Sequence, residues 1–204
     1  VVAGGILPGF SAQSYRRIIG ANEKIRVSMM GVNSRGNALA QNFAYQEQCD
    51  VLHLCDVDSR AIEKCANNVS KLQEIKPEVF GDFRKSLESK DIDVLVVAAP
   101  DHWHAPAALL AMQAGKHVYL EKPCSHNPRE GEILLEAAVR FKKSVQMGNQ
   151  RRSLPNVVEA ISEFKNGIIG LPYFGKGWYT NTRGPIGVGK EVPVPEWLNW
   201  DLWQ

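Results

Sequence analysis

Cysteine is scarce here and never paired. Four thiols stand in 204 residues, at Cys49, Cys55, Cys65 and Cys124, with no C-x-x-C spacing, which argues against both a disulfide framework and a thiolate metal centre. Cys55 lies in a strand pattern and Cys65 in a helical one, as buried free thiols do. No apolar run approaches the roughly 20 residues of a membrane span. Charge of one sign does not dominate either. Lys and Arg total 24 against 22 Asp and Glu, for a formal net charge of +2, so neither nucleic acid nor an anionic membrane is indicated as partner. There is no internal repeat, no low-complexity tract and no initiator methionine. Val1 to Gly9 (VVAGGILPG) is instead apolar and glycine-rich. It reads as the latter part of an export signal, which would make the protein periplasmic, or as an unstructured leader on a cytoplasmic one. Arg16-Arg17 follows this stretch, so it does not form a twin-arginine signal.

What is present is ordinary globular material, 44% hydrophobic and 23% charged, enough for one domain and part of another. From Lys24 to Gly148 strand patterns alternate with helical ones. Strands are expected at Lys24–Val32, Asp50–Val57, Glu78–Phe80, Ile92–Ala98, His117–Leu120 and Ser144–Met147. Helices are expected at Asn37–Gln46, Ser59–Leu72, Asp82–Glu88, His104–Ala114 and Pro128–Phe141. Ile92–Ala98 is almost wholly apolar, as a central strand covered on both faces should be. Gly115 suits the position after a helix, while Asn127 and Pro128 suit the start of one. This alternation predicts an α/β fold with a doubly wound parallel sheet. The expected organisation is a leader over 1–23, a dinucleotide-binding domain over 24–150 and the beginning of a second domain over 151–204. In that last part Leu154–Asn166 reads as a helix, Leu171–Thr182 as an aromatic strand and Arg183–Pro195 as a loop. Trp197, Trp200 and Trp203 follow, read as core or interface packing, with a sugar platform as the alternative. A chain ending at Gln204 on such a tryptophan-rich stretch is expected to be the front part of a longer protein.

Gly31-Val32-Asn33-Ser34-Arg35-Gly36 fits the dinucleotide turn G-x-G-x-x-G with Asn33 in the second glycine position. Asn tolerates positive φ better than most residues, so the replacement is mild. The first glycine permits the tight turn, the last lets helix and strand approach, and the helix start offers N–H groups to a pyrophosphate. Asp56, 20 residues after Gly36, can accept both ribose hydroxyls of NAD and would repel the 2′-phosphate of NADP; the alternative for it is a helix cap. Arg35 adds a guanidinium that could bind phosphate or adenine. Pro100, His102, Trp103 and His104 leave the central strand at the edge where such sheets bind ligands. Two histidines without a third ligand nearby do not make a metal site. They are read as lining a nicotinamide pocket, with Trp103 as its wall.

Glu121-Lys122-Pro123 ends the fifth strand. A lysine partly desolvated beside a cofactor gives up its proton more readily and can exchange one with a substrate hydroxyl. Lys122 is thus the candidate catalytic residue, and Glu121 the residue that orients it or touches the cofactor. Asn149 and Gln150 close the sixth strand on the same edge and could hydrogen-bond nicotinamide ribose or substrate hydroxyls. Arg151 and Arg152 beside them have no assigned role.

Taken together, the glycine turn, Asp56, Pro100–His104, Gly115-Lys116-His117-Val118 with Glu121-Lys122-Pro123, and Gly148-Asn149-Gln150 resemble the glucose–fructose oxidoreductase / inositol dehydrogenase / MocA family over Lys24 to Gln204. The resemblance implies an NAD(P)-dependent oxidoreductase acting on a secondary alcohol of a sugar, cyclitol or related polyol. It further implies a C-terminal domain with an open, mainly antiparallel sheet, through which homo-oligomers form. Lys122 would stand near the reacting hydroxyl. Gly31, Asn33, Ser34, Arg35, Gly36, Asp56, His104, Glu121 and Asn149 would contact the cofactor. The family's further Asp and His have no matching motif before Gln204. NAD-dependent glycosidases on the same scaffold are the nearest alternative, but there the lysine of Glu-Lys-Pro is replaced by an apolar residue. A non-catalytic NAD-binding module is the alternative of another class.

Overall fold

The computed structural model describes residues 24–180 and 182–204; the apolar leader therefore lies outside the described residues. Six strands, β1 (Ile25–Met30), β2 (Cys49–Cys55), β3 (Glu78–Phe80), β4 (Val94–Val97), β5 (His117–Glu121) and β6 (Val145–Gly148), form one sheet in the order β3-β2-β1-β4-β5-β6. Every pairing is parallel. Parallel neighbours need crossovers. Five helices supply them: α1 (Arg35–Ala44), α2 (Ser59–Val69), α3 (Phe83–Leu87), α4 (Asp101–Gln113) and α5 (Pro128–Phe141).

The sheet is covered on both faces, and residue alternation along each strand assigns the faces. Val27, Met29, Val51, Leu54 and Val96 pack with Leu39, Ala40, Cys65 and Val69 of α1 and α2. Met30, Leu95, Val97 and Leu120 pack on the other face with Ala107, Ala108, Ala111 and Leu134 of α4 and α5. Hence β4 is apolar at consecutive positions, as the sequence requires. Helix starts follow local chemistry: Asp58, Asp82 and Asn127 accept from the backbone N–H of Arg60, Arg84 and Glu130. All four cysteines are free thiols and three are buried. Burial pushes the Cys65 thiol up to about 12, which suits an inert packing role.

One buried polar chain lies within the first half of the sheet. His53 Nδ1 is 2.8 Å from Ser86 Oγ, which is 2.6 Å from Ser28 Oγ; the histidine's Nε2 is 3.7 Å from the Glu78 carboxylate. Burial lowers the pKa of His53, an effect opposed by the charges of Glu78 and Asp91 and reinforced by that of Lys116. An unfolded histidine titrates near ~6.5, so below that pH the unfolded chain takes up a proton that the folded ring resists. Stability therefore falls as pH drops from about 6.5 toward the lower folded value. Calorimetric melting against pH should show this fall, and His53→Gln should flatten it.

After β6 come a short 3-10 turn (Gln150–Ser153), helix α6 (Pro155–Lys165) and, at the end, the single turn α7 (Trp200–Trp203). Leu171–Thr182, expected as an aromatic strand, forms none among its described residues, and Tyr173 is 97% exposed. A period-2 aromatic pattern becomes a strand only when a neighbouring strand takes its backbone groups. Pro172, Gly175 and Gly177 further weaken the tendency. Trp197 and Trp203 behave differently from this stretch, because they fold back onto the six-stranded half.

Candidate functional site

The strand order reverses between β1 and β4, which places a crevice at the carboxyl ends of these strands. Gly31 lies in the left-handed region at φ +80°, and a Cβ on it would stand 2.6 Å from Ala99 N. A Cβ on Gly36 would stand 1.7 Å from the Gly31 carbonyl oxygen. Both glycines are thus required by close backbone approach, the roles their spacing predicted. Asn33 differs. The left-handed non-glycine residues among those described are Lys142 and Gln150, so position 33 makes no special backbone demand. Ser34 starts α1 without a side-chain cap, which leaves the first-turn N–H groups directed at the crevice for an anion.

Asp56 stands just past β2. Its Oδ2 accepts from Val32 N at 2.7 Å and its Oδ1 from Asp58 N at 3.0 Å. It clasps the glycine turn to the β2 exit, and the helix cap is Asp58. Each carboxylate oxygen accepts more than one hydrogen bond, so capacity for ribose hydroxyls remains.

Glu121, 4% exposed, is the buried acid of the site. Arg35 Nε donates to its Oε1 at 2.8 Å, and Gln150 Nε2 donates to its Oε2 at 2.9 Å. One carboxylate therefore ties the glycine turn, the end of β5 and the turn after β6 together. Glu121→Gln should keep the shape and lose the charge-assisted bond to Arg35, weakening NAD binding in the full-length protein by about tenfold. Titration calorimetry measures that, and an unchanged affinity would remove the network from cofactor binding. Lys122 is exposed rather than partly desolvated as expected, because it lies one residue beyond the end of β5; Asn149 and Gln150 are exposed too. Arg151 and Arg152 face solvent.

His104 is fully buried, and its ring nitrogens meet backbone carbonyls, Nε2 at 2.9 Å from Ala99 O and Nδ1 against Pro123 O. It joins the β4 exit to the Glu-Lys-Pro segment from within. His102 Nε2 lies 3.1 Å from the Trp203 carbonyl.

A cavity of about 510 Å³ fills the crevice, bounded by Gly31, Asn33–Arg35, Asp56–Asp58, Gly81–Arg84 and Ala98–Pro100 with Trp103. Its outer side is made by Trp197, Leu198, Leu202 and Trp203. No role in this cavity was expected of these four residues or of Gly81–Arg84. The W-L-N-W-D-L-W run was the available signal. Lys122 does not line the cavity, which lies at the Asp56 end of the crevice rather than at the β5 end.

The model of an oxidoreductase family with an NAD-binding Rossmann fold, GFO_IDH_MocA, matches residues 25–149. The chain belongs to the Gfo/Idh/MocA family. Among its relatives is a glycosyl hydrolase family 109 protein from Shewanella sp. (strain ANA-3), 27% identical over 161 residues, covering 77% of this chain and 35% of the relative. An α-N-acetylgalactosaminidase from Shewanella oneidensis is 29% identical over 129 residues, 61% of this chain and 28% of that protein. The chain thus spans about a third of the length of these curated relatives. Scyllo-inositol dehydrogenase from Lactobacillus casei, solved with NAD(H) and scyllo-inositol, shares the fold with a TM-score of 0.66 at 23% identity, over 72% of this chain and 43% of that one. An NAD-binding oxidoreductase from Klebsiella pneumoniae gives 0.60 at 25% identity, over 72% and 40%. The features of this Gfo/Idh/MocA chain fit a dinucleotide: two turn glycines with no room for a side chain, uncapped helix amides and a carboxylate beyond β2.

Proposed function

We propose that the whole protein oxidises a secondary hydroxyl of a sugar, cyclitol or related polyol, with Lys122 handling the hydroxyl proton. The observation that carries this is the placement of Lys122 directly after Glu121, whose buried carboxylate is bonded to Arg35 of the cofactor turn. The backbone at Lys122 is thereby held beside the glycine turn. Bound NAD supplies the hydride acceptor. The chain's own residues do the rest: α1 amides and Arg35 meet the phosphates, and Asp56 accepts the ribose hydroxyls. Lys122 Nζ is the group that relays the proton of the reacting hydroxyl to water.

NAD is favoured over NADP by charge. Asp56 would repel a 2′-phosphate, and Arg84, which also lines the cavity, is paired with Asp82. Asp56→Ser should weaken NAD by about 10- to 100-fold, the worth of charged hydrogen bonds, and NADP far less. Equal losses for the two nucleotides would contradict the assignment. The proposal itself is tested by offering the full-length protein NAD with cyclitols and free sugars. Stoichiometric formation of NADH and a keto product supports it.

A second reading, transient oxidation that cleaves a glycosidic bond, is supported by the glycosidase names of the curated relatives. Lys122 speaks against it, since the resemblance implies an apolar residue there in such enzymes.

A further inference from the structure

The segment Trp197–Trp203 crosses the nucleotide cavity from one lip to the other. At the β2 lip, Asn199 N donates to Val57 O at 2.9 Å and Ser59 N to Trp197 O at 3.0 Å, making an antiparallel bridge between Asp58 and Leu198. At the β4 lip, the Trp203 carbonyl accepts from Trp103 Nε1 at 3.2 Å. These anchors include main-chain atoms at both ends, so they hold the segment as a strap whatever its side chains do. The Arg60 guanidinium lies 3.2 Å from the centre of the Trp197 ring, and Trp200 stacks on Trp203 at 4.9 Å with planes 8° apart.

No residue of the strap is buried, and Trp200 and Trp203 are 41% and 39% exposed. Four of its side chains, Trp197, Leu198, Leu202 and Trp203, instead line the cavity. The inner wall carries what a ribose and phosphates need, Asp56 and the glycine turn; the strap offers an aromatic and aliphatic wall, which suits a flat heteroaromatic base.

We infer that the strap is part of the cofactor site, forming the outer wall for the adenine ring and ordering further when the adenosine half of NAD is bound. This rests on the cavity being the seat of NAD. It couples occupancy of the nucleotide site to the chain that follows β6.

Hydrogen exchange of the full-length protein with and without ADP-ribose, which undergoes no redox chemistry, tests the inference. The amides of Ser59 and Asn199, together with those of the glycine turn, should exchange more slowly with the probe. Slowing at the turn with none at residues 197–203 overturns the strap's role and leaves the NAD site intact; slowing at neither overturns both. By calorimetry, Trp197→Ala and Trp203→Ala should each weaken ADP-ribose by about 10- to 100-fold, the effect of losing a stacking partner for a base. Trp178→Ala, far more exposed and outside the cavity, should leave affinity unchanged. Wild-type affinity in both strap variants would contradict the inference.

Discussion

Lys122→Ala in the full-length protein should lower kcat by about 10²- to 10⁴-fold and leave NAD affinity within about twofold, the pattern of a lost proton-transfer group rather than a lost ligand contact. The structure supports this split. Lys122 does not line the nucleotide cavity and stands exposed past the end of β5. The contacts that hold its strand in register belong to Glu121, not to the lysine. Removing the amine therefore leaves the cofactor turn, the Asp56 clasp and the Arg35 anchor undisturbed. Stopped-flow kinetics with parallel calorimetry would separate the two quantities. Unchanged turnover would remove Lys122 from the mechanism.

Gly36→Ala should destabilise the domain by about 3 kcal/mol or more, because the added methyl meets backbone rather than a side chain that can yield. The site of that methyl is 1.7 Å from the Gly31 carbonyl oxygen, with the Gly31 carbonyl carbon at 2.7 Å. Relief requires α1 to move away from the turn. That movement also withdraws the helix amides from the phosphate position, so NAD binding should fall together with the melting temperature. Gly81→Ala is the matched control: nothing lies within 4 Å of its added carbon, and it should melt close to wild type. Thermal unfolding with and without NAD measures both. A Gly36→Ala protein with native stability would contradict the close approach.

The architecture was largely legible because its signals are local. The bounds of β3 and α5 match the expected Glu78–Phe80 and Pro128–Phe141; for α5 the signals, Asn127 and Pro128, act within a few residues. The two glycines were legible for the same reason: each excludes a side chain near its own turn. Asp56 was half legible. Its spacing marks it as a ribose acceptor, but nothing in the sequence says that its oxygens also hold Val32 and Asp58. The Arg35–Glu121 pair spans 86 residues and the Ser59–Trp197 contact 138, distances at which pattern carries no information about contact. Hence the tryptophans were read as core or interface, with a sugar platform as the alternative, and the place of Trp197 and Trp203 on the cavity was not legible. Leu171–Thr182 shows the converse limit, a local pattern whose strand depends on a partner strand.

The most direct test of the central claim is product analysis of the full-length enzyme. It would be given NAD together with either a polyol panel or an aryl N-acetylgalactosaminide. Oxidation with Lys122 as proton carrier predicts NADH and keto product in equal amounts from a polyol, and no aryl alcohol release. Release of free sugar and aryl alcohol with NAD needed only in catalytic amount would contradict it.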